Sequence, residues 1–254
     1  MAGAYVFPGG RVDEADGSAD DTWCDGLDAA RAHWPDLEPA DAIAYHVAAM
    51  RELFEEAGVL LARDASGRFV TERPDDEVTA RLTASRRAIH AGDANFGAVM
   101  RREGLRLALD ALLPLGHWVT PAVEARRFDA RFFVARVPDG QSARHDASET
   151  VGSAWMTAAG ALDRCRRGEI ALPPPTWSTL ADLARFDSVE SVLASTSDRV
   201  IVRREPRFVE EHGVPMLVLP GDPLYPAPEA ERITAAHVET RFILEKRRWR
   251  ASRA

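Results

Sequence analysis

Three carboxylates, Glu52, Glu55 and Glu56, crowd into the segment Arg51-Glu52-Leu53-Phe54-Glu55-Glu56-Ala57-Gly58-Val59. On a regular helix, at about 100° per residue, they fall in an arc of roughly 100°, with Arg51 beside it. Such crowding works against an isolated helix, because each like-charged pair one turn apart costs on the order of 0.2–0.5 kcal/mol. Arg51 offsets part of this through Glu55, one turn on, but a single guanidinium does not neutralise three carboxylates. An acidic edge on a packed helix suits a hard divalent cation, which takes oxygen ligands. Three glutamates alone, however, are more simply a solvated face.

The element that must position them is a helix from about Asp41 to Ala57. Asp41 is a good N-cap, Gly58 a good stop, and Ile43, Val47, Met50, Leu53, Phe54 and Ala57 form an apolar stripe at helical spacing. Upstream, Ala4 to Phe7 reads as a short strand running into a Pro8-Gly9-Gly10 turn, and Asp13 to Asp28 reads as an acidic loop. Downstream, Val59 to Ala62 reads as a buried strand. Two helices are expected at Asp76 to Ala91 and Asp93 to Leu113, then strands at Gly116–Thr120, Arg127–Val137 and Val151–Met156. Helices are expected at Ala158–Arg167 and Ser178–Leu193, with Leu172 to Thr176 extended through its three prolines. The last sixty or so residues offer strands at Arg207–Glu211 and Val214–Leu219 and a closing helix, Ala227–Trp249.

With Pro8-Gly9-Gly10 ahead of it, the acidic segment resembles the second half of the Nudix box, Arg-Glu-apolar-any-Glu-Glu-any-Gly-apolar, and matches all its specified positions between Arg51 and Val59. The first half is split. The usual box has an acid six residues after its glycine, and Gly10 plus six is Asp16, an aspartate in place of the usual glutamate. Gly10 and Arg51 lie 41 apart where about 14 is usual, so roughly 27 residues are inserted after Asp16. That insertion, with Tyr5-Val-Phe-Pro-Gly-Gly-Arg-Val-Asp13 before it, is similar to a subgroup containing peroxisomal coenzyme A diphosphatases and many bacterial relatives. The likeness continues through Trp118-Val-Thr-Pro121, Arg127-Phe-Asp-Ala-Arg-Phe-Phe133, Glu149 before Trp155, and Leu172-Pro-Pro-Pro-Thr176.

The resemblance implies an α+β fold, a Nudix-type α/β/α sandwich with a mixed sheet. It places a Nudix domain at 1–194, with insertions at about 17–40 and 63–113, and a C-terminal extension of unassigned role at 195–254. One or two strands usually precede the glycine pair. Only seven residues precede Pro8 here, so N-terminal strands are expected to be missing, their place open to C-terminal strands or a partner chain. The implied reaction is metal-dependent hydrolysis of a nucleoside diphosphate linked to another group, with Mg²⁺ or Mn²⁺. Coenzyme A or acyl-coenzyme A is the first substrate expectation. ADP-ribose, nucleotide sugars or dinucleotides are the alternative within enzymes, and a non-catalytic nucleotide-binding sensor is the alternative outside them. Glu52, Glu56 and Glu55 are the expected metal side chains, and Gly9 brings a backbone carbonyl. Arg51 orients Glu55, and Glu149, in a loop, is an expected general base alongside the box glutamates.

Other residues carry plainer readings. His46 and His117 are read as packed histidines, and Trp118, Phe132 and Phe133 as core aromatics ahead of adenine-stacking ones. Cys24 and Cys165 sit in no metal spacing and suggest no disulfide framework. A net charge of −8 argues against nucleic acid as the main partner. No apolar run approaches the ~18 residues of a membrane span. Of 32 basic residues only Lys246 is lysine, and the basic run to Arg250 reads as a solvated end. The partner expected is a small nucleotide-derived molecule, the compartment cytoplasmic, and homodimerisation stays open, as does the role of the 75–113 pair as substrate wall, lid or dimer surface.

Overall fold

The structure is a computed structural model and describes residues 4–72, 76–143, 153–197, 199–226, 239–245 and 248–252. The chain folds as two compact units, Pro8–Pro114 with Phe133–Ala154, and Met1–Phe7 with Leu115–Phe132 and Trp155–Ala254.

The first unit opens with a 3₁₀ turn, Glu14–Ser18. It is followed by strand β1 (Cys24–Asp25), helix α1 (Leu27–His33) and helix α2 (Pro39–Glu52). The stretch expected as an acidic loop is therefore partly structured. Trp23 and Cys24 within it, and Ala30 and Trp34 just beyond it, are buried, an apolar content that outweighs its many aspartates. Helix α2 begins with Pro39 in its first turn, where a missing N–H costs nothing. It runs directly into a π-helical turn, Leu53–Ala57. The wide turn was not legible in the apolar period, and it sits on the acidic segment itself, a common location for such irregularities at functional sites.

Beyond Gly58 come β2 (Ala62–Arg63), α3 (Glu77–His90), α4 (Phe96–Glu103) and β3 (Arg106–Ala108). The expected helix Asp93–Leu113 is thus corrected to a short helix followed by a strand. Gly104, at φ +66°, ends α4 in the left-handed conformation that favours glycine. The leucines beyond it then enter a sheet instead of a helix face. That sheet has the order β1-β3-β2, with β1 parallel and β2 antiparallel to β3. Ile43, Val47, Met50 and Phe54 of the acidic helix pack in one core with Trp23, Leu61, Leu82, Ile89, Phe96, Val99, Met100 and Leu107. Residues from 17–40 and 63–113 therefore share the core of this unit with the acidic helix. Within it, His46 is wholly buried. Its Nδ1–H donates to the Ala42 carbonyl at 2.8 Å, which leaves Nε2 to accept from His33 Nδ1 at 3.0 Å.

The second unit carries, from Leu115 and up to Phe132, most of β4 (Leu113–Val119) and β5 (Asp129–Val134), then α5 (Ala158–Arg166), α6 (Pro174–Leu183) and α7 (Val189–Ala194). It ends in β6 (Arg203–Arg204), β7 (Arg207–Glu211), β8 (Val214–Val218), β9 (Arg241–Glu245) and β10 (Arg248–Ser252). One sheet has the order β5-β4-β6, with β6 from the C-terminal stretch parallel to β4. The other is antiparallel, β10-β9-β8-β7. Trp118, Leu162, Trp177, Leu217 and Phe242 share its main core. Two expectations are corrected here. The proline run starts α6 at Pro174 because prolines are tolerated in a first helical turn. Within the described part of the expected closing helix Ala227–Trp249, Arg241–Glu245 is a strand, paired to Arg248–Ser252 in a hairpin and to the distant Val214–Val218, the latter a contact invisible to local periodicity.

The architecture is mixed α+β, as expected. Among the described residues, no helix is long and apolar enough to cross a membrane.

Candidate active site

The acidic turn is organised around Arg51. Its side chain is buried, and Nε and Nη2 both donate to the Asp16 carboxylate at 3.0 Å, a bidentate pair. Nη1 donates to Glu52 Oε1 at 2.8 Å and to Glu55 Oε1 at 3.0 Å, and Nη2 reaches the Arg11 carbonyl at 2.8 Å. Asp13 stands 3.5 Å from Nη2. Burial alone would depress the guanidinium's pKa, but Asp16, Glu55 and Glu52 together hold it above its ordinary value. One arginine thus ties the loop after the glycine pair to the helix.

The glycine pair meets the same helix edge. Gly9 N donates to Glu56 Oε2 at 3.1 Å. The Gly10 backbone lies so close to the Glu52 carboxylate that a Cβ at position 10 would collide with it. The 3₁₀ turn holding Asp16 closes on itself, with Asp13 N donating to Asp16 Oδ2 at 2.8 Å.

Helix α3 closes the other side. Arg86 donates to the carbonyls of Glu55 and Glu56 at 2.9 and 3.0 Å. His90 Nδ1 lies 3.8 Å from Glu55 Oε2. A cavity of about 430 Å³ opens beside Glu55, lined by Asp13, Asp16, Arg51 and His90 and by the α3–α4 connection through Gly92 and Asn95.

Of the expected site residues, Arg51, Glu52, Glu55, Glu56 and Gly9 all lie in this region of the first unit, while Glu149 lies outside the described residues. The carboxylates are not drawn into one ligand cluster. Among the described residues no three His, Cys, Asp or Glu side chains are grouped to hold a metal. Arg51 claims Glu52 and Glu55, and Glu56 turns to Gly9. The donor set nevertheless fits a hard cation. The Glu52 carboxyl is pushed above the usual glutamate range, first by burial and then by Glu55 and Asp13, even though Arg51 opposes the shift. The shift is first of all the cost of burying a charged oxygen donor, and a divalent cation bound there would favour its ionised form.

Residues 31–185 match the model of the NUDT19 Nudix domain, more than half of the chain. The chain belongs to the NUDT19 Nudix family. It is 30% identical to the acyl-coenzyme A diphosphatase NUDT19 of Gallus gallus, over 89% of this chain and 69% of that protein. To the acyl-coenzyme A diphosphatase NUDT19 of Homo sapiens it is 29% identical, over 89% of this chain and 68% of the relative. The crystal structure of a NUDIX hydrolase from Alicyclobacillus acidocaldarius matches with a TM-score of 0.56 at 26% identity, covering 76% of this chain and 81% of that one. The chain is a Nudix hydrolase, and the resemblance first read from Arg51–Val59 is shown.

Sequence reading missed Arg86 and His90, whose contacts with the acidic turn span about thirty residues and leave no local pattern. Asp16 was found by spacing, and its burial against Arg51 was not. The remaining candidates are structural. His46 sits inside the core, and the buried His117 pairs its Nε2 with Asp129 Oδ1 at 2.8 Å. Trp118 is buried, Phe132 meets Phe7 edge-on, and Phe133 packs on Trp34 and His46. Cys24 is buried, and burial pushes its thiol up to about 12, which makes it inert. Cys165 is a half-buried thiol in no disulfide.

Proposed function

We propose that this chain hydrolyses the diphosphate of coenzyme A or an acyl-coenzyme A, with Mg²⁺ or Mn²⁺ held by Glu52, Glu56 and Glu55 and a backbone carbonyl of Gly9. The observation that carries the reading is the Glu52 carboxylate pressed against the Gly10 backbone, on the same helix edge as Glu56, which accepts from Gly9 N. The acyl-coenzyme A diphosphatase names of the relatives support the choice of substrate.

A divalent cation, when bound, neutralises phosphate charge and favours ionisation of the attacking water. The glycine turn leaves room for backbone to approach the diphosphate. Arg51 fixes the Glu55 carboxylate through its 3.0 Å bond, and Glu55, facing the cavity, accepts the proton of the incoming water, a role Glu149 is the alternative to fill. Water adds to one phosphorus, the bridging P–O bond breaks, and the products are adenosine 3′,5′-bisphosphate and a phosphopantetheine. The α3–α4 connection forms a wall of the site. Residues 1–194 form the hydrolase domain and 195–254 an extension of it, the enzyme working in the cytoplasm on a small nucleotide-derived substrate.

The test is a product assay on coenzyme A, acetyl-coenzyme A, ADP-ribose and NADH, with Mg²⁺, with Mn²⁺ and with EDTA. Cation-dependent release of adenosine 3′,5′-bisphosphate from the coenzyme A substrates is expected to dominate. Preferential cleavage of ADP-ribose or NADH would reject the substrate assignment. Tight nucleotide binding with no turnover would favour a sensor.

A further inference from the structure

Helix α3 reaches the acidic turn at two levels. Arg86 Nε donates to the Glu55 carbonyl at 2.9 Å and its Nη2 to the Glu56 carbonyl at 3.0 Å, while His90, one turn on, faces the Glu55 carboxylate. Carbonyls in the last turn of a helix lack intrahelical partners. Here the two so exposed belong to the two glutamates nearest the helix end, and one planar guanidinium bridges them. A positive group is also favoured at this end of a helix by the aligned peptide dipoles. Holding these two carbonyls fixes the main chain of the turn, and with it the directions in which the Glu55 and Glu56 side chains leave the backbone. Glu56 is then gripped twice, by α3 through its main chain and by Gly9 through its carboxylate.

We propose that Arg86 is a positioning residue of the active site, clamping the π-helical turn whose backbone carries Glu55 and Glu56 at the cation site. It acts through those glutamates and touches neither substrate nor reacting atoms. This makes α3 a determinant of cation affinity as well as a wall, and it rests on the reading of the glutamates as cation ligands. The fork geometry matters, because lysine offers a point charge that does not hold two carbonyls in one plane.

The test measures Mn²⁺ binding without substrate, by the electron paramagnetic resonance of free Mn²⁺, for the full chain and for Arg86→Ala, Arg86→Lys and Arg81→Ala. The last is a control on the same helix, whose half-exposed side chain pairs with Glu103. Melting temperatures are taken in EDTA. Loss of a group that orients ligands costs about 10–100-fold in metal affinity. Arg86→Ala is expected to weaken Mn²⁺ binding in that range, Arg86→Lys to lie between it and the parent, and Arg81→Ala to match the parent. A folded Arg86→Ala with parental affinity overturns the proposal, even if its melting temperature falls. Should Arg86→Ala not fold, Arg86→Lys decides: weakened binding sustains the proposal and parental binding overturns it. A parent protein that binds no Mn²⁺ overturns the cation reading itself, a result distinct from any difference among variants.

Discussion

At the residue scale the site is a problem of charge. Arg51 serves Asp16, Glu52 and Glu55 at once, and burial keeps Glu52 short of compensation despite it. A glutamine at position 52 or 56 keeps the shape and removes one charge. Each like-charged pair relieved is worth about 0.2–0.5 kcal/mol on a helix. Glu56→Gln is therefore expected to lower turnover by orders of magnitude while the melting temperature in EDTA stays level or rises, and Glu52→Gln should behave likewise. Steady-state kinetics beside thermal melts check this, and near-parental turnover in Glu56→Gln would remove it from the cation site. The acids themselves were legible in the sequence because they are local, spaced at one to four residues. Their supports were not, since the Arg51–Asp16 pair and the Arg86 bridge join residues 35 and about 30 apart.

At the element scale, the segments that interrupt the expected domain pattern are its core. Helix α4 buries Phe96, Val99 and Met100 in the core it shares with the acidic helix, and β3 is the central strand between β1 and β2. Truncating Met100, wholly buried, to alanine should cost about 2–5 kcal/mol in urea unfolding. Arg81→Ala, which removes a half-exposed side chain of α3, should leave the urea midpoint close to the parent's. Equal losses would mean that the α3–α4 pair is not the packed element seen here. Length and period separated helix from strand well where apolar residues repeated without interruption, as in Ile43–Phe54 and in α5. They failed where leucines at near-helical spacing continued past Gly104, and where a strand partner lay far off in sequence, as Val214–Val218 does for Arg241–Glu245. The π-helical turn left no trace, because it changes the hydrogen-bond reach and not the residue types.

At the scale of the whole molecule, acid sensitivity has an identifiable source in His46. Burial holds its pKa down to about 4 against 6.5 for the free side chain, and His33 is lowered in the same direction by its own burial. The folded state thus keeps His46 neutral while the unfolded chain takes up a proton. Stability from this group is complete above about pH 6.5 and is lost as pH falls from there towards 4. Denaturant titrations at intervals across that window should show stability declining with falling pH, and His46→Gln should flatten the decline. A slope unchanged by the substitution would assign it to other groups.

The first unit is also discontinuous along the chain, and this bears on how it is made. Its final stretch begins at Phe133, which covers Trp34 and His46. Gln141 then stitches it shut, accepting from Leu60 N and donating to the Leu60 and Val70 carbonyls, each at 2.8 Å. On a ribosome the acidic helix therefore emerges long before its last packing partners. The half-built unit must wait with its aromatic interior uncovered, and this window, rather than the finished enzyme, is where a holding chaperone would find its grip.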